Sequence, residues 1–159
     1  MRLQASDAAY TGAVDASVLF KEQARQAGID IDVVREPADG FFSNVWMKQP
    51  FTTSFWYSSL TADRMFSIGY AKGAAWNETR WDNARFNQLL NAARGEMNAP
   101  LRQEMYNEMQ ALCRDEGGAI VPLFASSVAA RSKRVAHGGL TAPYGELDGL
   151  RLIERWWQA

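Results

Sequence analysis

The sequence is poor in residues that would fix a fold or a reaction covalently: it has one cysteine and one histidine in 159 residues. A single cysteine, Cys113, excludes an intrachain disulfide and a multi-cysteine metal site. No apolar run approaches the roughly 20 residues of a membrane-spanning helix. The 17 Lys and Arg residues nearly balance the 18 Asp and Glu residues. Without a net positive charge to attract a phosphate backbone, we expect no nucleic-acid partner.

Motifs that carry catalysis are also missing. The glycine-rich, serine-elbow and zinc-binding motifs of common enzymes do not occur. The only histidine, His137, would need a nucleophile and an orienting carboxylate to act as a general base, and no motif supplies them. Cys113 is predicted on the apolar face of a helix, as is typical of a small core residue rather than a reactive thiolate. We expect no catalytic residue, no metal site and no cofactor.

The first 34 residues follow the order strand, helix, strand. Residues 3–6 form a candidate strand, and residues 29–34 alternate apolar and polar side chains before ending in an apolar pair. A helix that ends at Gly28 is predicted between them from apolar residues at helical spacing, which are Ala16, Leu19, Phe20, Ala24 and Ala27. Short connections between such elements favour a parallel pair of strands and an α/β fold.

Residues 38–79 are rich in aromatic side chains. A short helix after Pro37 is predicted to carry Phe41, Phe42, Val45 and Trp46. Residues 51–56 contain mostly β-formers and predict a third strand. Residues 57–79 form a long connection with one helical turn, and connections of this length are uncommon unless they bind something or contact another domain. The tripeptide at Asn77 matches a glycosylation acceptor, but such short matches are common.

Two longer helices follow. Asp82 is the expected N-cap of the first helix, with Trp81 packing on Phe86. Pro100 opens the second helix, and Gly117-Gly118 ends it. The expected buried faces are Phe86, Leu89, Leu90 and Ala93 in the first helix, and Leu101, Met105, Met109, Leu112 and Cys113 in the second.

The last 40 residues predict three strands. Residues 119–124 and 128–130 are short apolar runs, and Pro122 indicates that the first lies near a sheet edge. Residues 150–157 predict a final strand, with a helical turn as the alternative. The residues between them, 138–149, are rich in turn formers.

Aromatic side chains exceed what these elements can bury, with six Trp, five Tyr and eight Phe. The run Phe55-Trp56-Tyr57 ends a predicted strand and opens a polar loop, which is where open α/β sheets bind ligands. Hydroxyl and carboxylate groups follow directly in the loop. The predicted ligand-binding residues are Phe55, Trp56, Tyr57, Ser58, Thr61 and Asp63.

Several stretches, taken in order, resemble one family. They are residues 24–36 and 38–46, the run Trp81-Asp82-Asn83 with Phe86, Asn87, Leu89 and Leu90, then Arg102, Tyr106, Met109 and Gln110, the apolar strand with Pro122, and Glu154-Arg155-Trp156-Trp157. Their order and spacing resemble the C-terminal part of extracytoplasmic solute-binding proteins of the peptide/oligopeptide ABC-transporter type, bacterial solute-binding protein family 5. The resemblance covers essentially the whole chain.

The resemblance implies that the chain is a fragment. The expected fold is one lobe of a periplasmic-binding-protein type II-like fold, a mixed sheet flanked by helices. Residues 1–135 would form the second, C-terminal lobe, and residues 136–159 would return toward the hinge and the first lobe. The missing N-terminal part would carry the signal sequence and the first lobe.

The resemblance also implies a task outside the cytoplasm. The full-length protein would be periplasmic or extracytoplasmic, would close its two lobes over a peptide or other small solute, and would deliver it to an ABC permease. In such proteins a tryptophan, small residues, Pro-Thr and an acid help form the ligand cleft. Trp56, Thr61 and Asp63 match that pattern, whereas Leu60 replaces the usual proline.

Two other functions remain open at this point. A free-standing protein-interaction domain would account equally well for the aromatic surface. A small hydrolase using His137 is the weaker alternative, because no partner nucleophile is indicated.

Overall fold

A computed structural model describes residues 1–57, 59–126, 128–139, 142 and 147–159. Its residues group into two compact units, Met1–Trp56 and Tyr57–Ala159. The elements in chain order are β1 (Arg2–Ala5), α1 (Ala13–Gln26), β2 (Asp32–Arg35), α2 (Phe41–Asn44), α3 (Ala62–Met65), a π-helix (Phe66–Tyr70), α4 (Ala84–Gly95), α5 (Ala99–Glu116), β3 (Val135–His137), α6 (Leu152–Arg155) and β4 (Trp156–Gln158). The predicted α/β class is confirmed. The boundary expected at residue 135 stays a prediction.

The first unit contains the predicted strand–helix–strand arrangement. Strands β1 and β2 pair in parallel, with Leu3 opposite Val33. Helix α1 connects them, and Gly28, just after its end, has a φ of 77° that suits glycine. Leu3, Ala24 and Ile31 form a buried cluster, against which Phe20, Val33 and Phe51 pack. The parallel pair predicted from the sequence is therefore confirmed.

The buried face of α1 differs from the prediction. Ala13, Ser17 and Ala24 are its buried residues, whereas Leu19 is 60% exposed. The Ser17 hydroxyl donates a hydrogen bond to the Ala13 carbonyl at 2.7 Å, which satisfies it inside the packed face. Hydrophobicity alone places the polar Ser17 on the solvent-facing side of α1. A prediction based on it therefore misjudges which face of the helix is buried.

The predicted third strand is reduced to a single bridge. Thr52 pairs in parallel with Gln4, through Gln4 N to Phe51 O and Thr53 N to Gln4 O, both at 3.0 Å. The next backbone amide of the first strand, that of Ser6, donates to the Thr53 hydroxyl at 3.3 Å instead of to a backbone carbonyl. Beyond Thr53, residues 54–57 therefore have no strand structure.

The short helix α2 is present as expected, but only some of the apolar residues predicted for it are buried. Phe41 and Val45 join Ala9 and Ala13 in a second buried cluster, and Trp46 packs against it. Phe42, the neighbouring ring, is 54% exposed. The first unit thus holds two small cores rather than one.

Helices α4 and α5 form the core of the second unit. Phe66, Phe86, Leu89, Leu90, Ala93 and Met109 are buried together, so the predicted face of α4 is confirmed. On α5 only Met109 is buried. Met105, Leu112 and Cys113 are partly buried against the cluster, and Leu101 is exposed.

The start of α4 lies one residue later than predicted. Asn83 is the N-cap, since its side-chain oxygen accepts a hydrogen bond from the Phe86 amide at 2.9 Å. Asp82 instead pairs with Lys72 at 2.6 Å. The predicted contact of Trp81 with Phe86 is present, with ring centroids 4.9 Å apart. Asn98 caps helix α5 in the same manner, and the helix has a proline in its first turn.

The prediction of strands at 119–124 and 128–130 is wrong for the described residues, which have no helix or strand structure there. β3 and β4 pair antiparallel, with His137 opposite Trp156. The prediction of one strand over 150–157 holds only for its end, because α6 precedes β4. No helix within the described residues is long and apolar enough to cross a membrane.

Candidate functional site

The predicted aromatic run lies at the boundary of the two units. Phe55 and Trp56 end the first unit, and Tyr57 begins the second. Phe55 is 47% exposed and Tyr57 is 56% exposed, while Trp56 is half-buried. Ser58 lies outside the described residues. Each of these two rings is about half exposed, and the ligand-binding role of the run stays a prediction.

Thr61 has a structural task in the second unit. It is the N-cap of α3, and its hydroxyl oxygen accepts a hydrogen bond from the Arg64 amide at 3.2 Å. Such a cap satisfies one of the amides that the first helical turn leaves without a partner. The side chain is exposed, so a contact with ligand would be added to this role.

Asp63 is held by side chains from three helical elements, and we call Asp63, Ser67, Arg94 and Tyr106 the Asp63 cluster. Arg94 donates to both carboxylate oxygens of Asp63, at 2.8 and 3.3 Å. The Tyr106 hydroxyl donates to the same carboxylate at 3.2 Å. Ser67 donates to the Asp63 carbonyl at 2.5 Å. A cationic group of a ligand would have to compete with Arg94 for this carboxylate.

The cluster shifts the titration of its members. The hydrogen bond from Arg94 lowers the pKa of Asp63, burial opposes that shift, and the charge of Arg94 adds to it. Burial raises the pKa of Tyr106, and the neighbouring Asp63 carboxylate raises it further. The chain thus maintains Asp63 as an anion and Tyr106 as a neutral donor at neutral pH.

We expect Asp63→Asn to lower the free energy of unfolding by about 1 kcal/mol at pH 7, a value reduced for the partial exposure of the pair. Because the folded state lowers the pKa of Asp63, this stabilisation is present above the pKa of the unfolded chain. It is lost as pH falls through the folded pKa. Urea unfolding of both proteins at pH 7 and pH 3 measures the difference.

The control is Glu108→Gln, which removes an exposed pair with Arg85 and should have a smaller effect. A constant difference between Asp63→Asn and the unmodified chain from pH 7 to pH 3 would contradict this prediction.

Asn77 is a structural residue that the sequence analysis missed. Its side chain is buried, and its amide nitrogen donates to the carbonyls of Trp81 and Ala71 at 2.7 and 3.2 Å. Its oxygen accepts from the Trp81 amide at 3.1 Å. The nitrogen to which a glycan would be attached is therefore occupied in the interior. The only local signal was the acceptor tripeptide, which pointed to the surface.

The structure gives His137 surroundings unlike those of a general base. Its ring lies 5.2 Å from the ring of Trp156, and Nδ1 is 2.6 Å from the Gly138 carbonyl oxygen. Among the described residues no serine hydroxyl hydrogen-bonds to it. In β3 it is half-buried, with the Trp156 ring against one face.

Cys113 behaves as the sequence analysis expected. Burial raises the pKa of its thiol to about 12, so the thiolate that nucleophilic chemistry requires is nearly absent at neutral pH. Within the described part of the chain, no group of three or more His, Cys, Asp or Glu side chains is placed to hold a metal ion.

Two open grooves lie on the second unit. One, of about 340 Å³, runs between α4 and α5 over Leu89, Ala92 and Met105. The other, of about 330 Å³, is lined by Ser67, Lys72, Asn87 and Arg94 among others. Both cations of the second groove are paired with carboxylates, Lys72 with Asp82 and Arg94 with Asp63. The second groove therefore offers no unneutralised cation for an anionic ligand.

Comparison with solved structures identifies the fold. The oligopeptide-binding protein AppA from Bacillus subtilis, solved in complex with a nonapeptide, matches with a TM-score of 0.65 and 17% identity over 99% of this chain. NikZ from Campylobacter jejuni, solved in complex with Ni(L-His), matches with a TM-score of 0.59 and 19% identity over 73% of this chain. The chain therefore shares its fold with part of each protein.

The match is to a portion of each longer protein. The chain covers 31% of AppA and 24% of NikZ. No protein-family model matches the sequence, and no curated protein matches it. The likeness in fold to parts of these two proteins is thus found at a level of identity where sequence comparison finds nothing.

Proposed function

We propose that the chain is a ligand-binding lobe of the solute-binding component of an ABC importer. The observation that carries this proposal is the match of nearly the whole chain to part of AppA. AppA and NikZ are binding proteins, one solved with a peptide and one with a nickel–histidine complex. The lobe is of the periplasmic-binding-protein type II-like kind, and the chain catalyses no reaction.

In this proposal the solute, a peptide or similar small molecule, binds between two lobes outside the cytoplasmic membrane. The full-length protein then delivers it to the membrane permease. Closure of two lobes divides the ligand contacts between them, so the contacts of one lobe alone give only part of the binding free energy. Residues 1–159 supply the second lobe and the segment returning to the hinge.

The ligand-binding residues that we propose are Phe55, Trp56, Tyr57, Ser58, Thr61 and Asp63. The partial exposure of Phe55 and of Tyr57 supports each ring as a candidate ligand contact. A peptide backbone or an aliphatic side chain can pack on such rings with little loss of conformational entropy, because each ring has only two side-chain torsions. The cap role of Thr61 and the ion pair of Asp63 fix the backbone that follows the rings.

The first test is solute binding by the isolated chain and by the full-length protein. We expect saturable binding of peptides by the full-length protein and much weaker binding by residues 1–159, measured by isothermal titration calorimetry with a defined peptide pool. Nanomolar binding of a small peptide by the isolated chain would contradict the two-lobe proposal. Tight binding of a folded protein partner instead would support a free-standing interaction domain.

The second test is Trp56→Ala in the full-length protein. We expect the dissociation constant for the solute to rise at least fivefold, which corresponds to about 1 kcal/mol, as for a partly buried aromatic contact. Trp76→Ala is the matched control, because Trp76 is exposed and lies outside the predicted segment. An unchanged dissociation constant for Trp56→Ala, with normal folding, would reassign Trp56 to packing.

A further inference from the structure

The sequence contains two aspartate–glycine dipeptides, Asp39-Gly40 and Asp148-Gly149. At such a dipeptide the amide nitrogen of the glycine can attack the carboxyl carbon of the aspartate side chain, because glycine has no Cβ to obstruct the approach. The attack requires the peptide unit between the two residues to rotate and the carboxyl group to be available. The structure constrains the two dipeptides very differently.

The peptide unit between Asp39 and Gly40 has few contacts. Gly40 has a φ of 76° and a ψ of 1°, the values of the third residue of a type II turn, a position that favours glycine. One backbone bond closes the turn, from the Phe41 amide to the Ala38 carbonyl at 3.4 Å. Among the described residues, neither the Asp39 carbonyl nor the Gly40 amide has a hydrogen-bond partner. The Asp39 side chain is exposed, and no cation of the described part of the chain forms an ion pair with it.

Asp148 is constrained both in its side chain and in its backbone. Its carboxylate accepts hydrogen bonds from the Ala142 amide at 2.5 Å and from the Trp156 indole at 3.3 Å. It also pairs with Arg155 at 3.1 Å, and its side chain is 2% exposed. Its carbonyl accepts from the Arg151 amide at 3.3 Å. The attack by the following amide therefore requires the carboxylate to leave three donors and the peptide unit to lose a fourth.

We propose that Asp39 is a site of spontaneous isomerisation to isoaspartate and that the fold protects Asp148 from the same reaction. The Gly40 nitrogen bonds to the carboxyl carbon of Asp39, and the amide hydrogen leaves with the carboxyl OH as water, which closes a succinimide ring. Water then adds back across either of the two carbonyl–nitrogen bonds of the ring. One product is aspartate. The other is isoaspartate, in which the backbone runs through the side-chain carboxyl carbon.

Isomerisation lengthens the backbone at the start of α2 by one methylene group. The Gly40 carbonyl accepts a hydrogen bond from the Asn44 amide at 2.8 Å. The next residue, Phe41, is buried together with Val45 in the second cluster of the first unit. The modification therefore displaces the residue that anchors α2 in its core. The site does not depend on the solute-binding proposal, because the reaction needs only the chain and water.

The test is incubation of residues 1–159 at neutral pH and physiological temperature, followed by peptide mapping with electron-transfer mass spectrometry, which distinguishes isoaspartate from aspartate. We expect isoaspartate to form at position 39 at least about tenfold faster than at position 148, because opening at Asp148 breaks several hydrogen bonds. In guanidinium chloride, which removes both environments, the two rates should agree within about threefold.

Asp39→Glu is the matched variant. It keeps the charge, but the same attack has to close a larger ring, so isomerisation at this position should be lost while the rate at Asp148 is unchanged. This variant shows whether the isoaspartate assigned to position 39 arises there.

Three results would overturn the proposal. The first is a folded chain in which position 39 forms no isoaspartate, which would show that the turn is rigid. The second is equal formation at positions 39 and 148 in the folded chain. The third is a difference between the two positions that persists in guanidinium chloride, which would assign it to the neighbouring sequence rather than to the fold.

Discussion

Replacing Asn77 by alanine is expected to lower the free energy of unfolding by about 2–4 kcal/mol. The amide group of this buried side chain bonds to the backbone of Ala71 and Trp81 at 3.2, 2.7 and 3.1 Å. Alanine leaves those carbonyls and that amide without partners in a site that water does not reach. Urea unfolding followed by tryptophan fluorescence measures the loss.

The loop that Asn77 holds contains a strained residue. Arg80 has a φ of 55°, a conformation that costs energy for a residue other than glycine. The backbone carbonyl of Asn77 accepts a hydrogen bond from the Arg80 amide at 3.0 Å. The Asn77 side chain holds the backbone of Trp81, the residue after Arg80. Loss of the Asn77 side chain should therefore also release Trp81 from its contact with Phe86.

Two variants separate the role of Asn77 from other effects. Asn77→Asp keeps an acceptor for the Trp81 amide but directs a carboxylate at two carbonyls, so it should be at least as destabilising as alanine at neutral pH. Thr79→Ala removes only a 3.4 Å contact to Asn77 and the acceptor tripeptide. It should cost less than about 1 kcal/mol. A loss for Asn77→Ala no larger than that of Thr79→Ala would contradict the proposed role.

Phe86→Ala should be the most destabilising change in the second unit, by about 3–5 kcal/mol. The Phe86 side chain is fully buried, with ring centroids 5.3 Å from Phe66 and 4.9 Å from Trp81. Alanine removes the ring and leaves a cavity at the centre of the α4–α5 core. The Asn83 cap is made to the Phe86 backbone amide and is retained, so the effect reports packing alone.

The matched control for this variant is Phe42→Ala. Phe42 is 54% exposed, and its removal from the surface of α2 should cost less than about 1 kcal/mol. Chemical denaturation of both variants gives the comparison. Equal losses would show that the core of the second unit is able to close around the missing ring.

Local periodicity explains which parts of the fold could be predicted. The buried face of α4 needs only apolar residues at helical spacing and a polar cap, and both are local features. The cap itself was assigned to Asp82 because Asp and Asn are equally good in that position. In the structure Asp82 pairs with Lys72 from outside the helix, and no local pattern encodes that pair.

The predicted strands at 119–124 and 128–130 failed for a different reason. A strand is defined by its partner, and β-propensity describes only how well a side chain suits a pleated surface. Residues 51–53 illustrate the same limit, since their pairing with β1 ends where the Thr53 hydroxyl takes the Ser6 amide.

The ligand-binding role of residues 55–63 stays a prediction from composition, whereas the contacts around Asp63 are visible only in the tertiary structure. The exposed rings of Phe55 and Tyr57 agree with a surface role inferred from aromatic excess. The Asp63 cluster could not be inferred, because Asp63 and Arg94 are separated by 31 positions and Tyr106 by 43. Long-range pairs of this kind require the tertiary structure.

Chemical labelling of Cys113 can report how often the core of the second unit opens. In the packed state its pKa is about 12, against 9.0 for an ordinary thiol, so at pH 8 its thiolate fraction is about a thousandfold lower than in an opened state. The opened state, in which α5 has separated from α4, therefore dominates the reaction with an alkylating reagent once more than about one molecule in a thousand is open. Because the sequence contains one thiol, the labelling rate needs no correction for other sites. It therefore reports the equilibrium of that local opening.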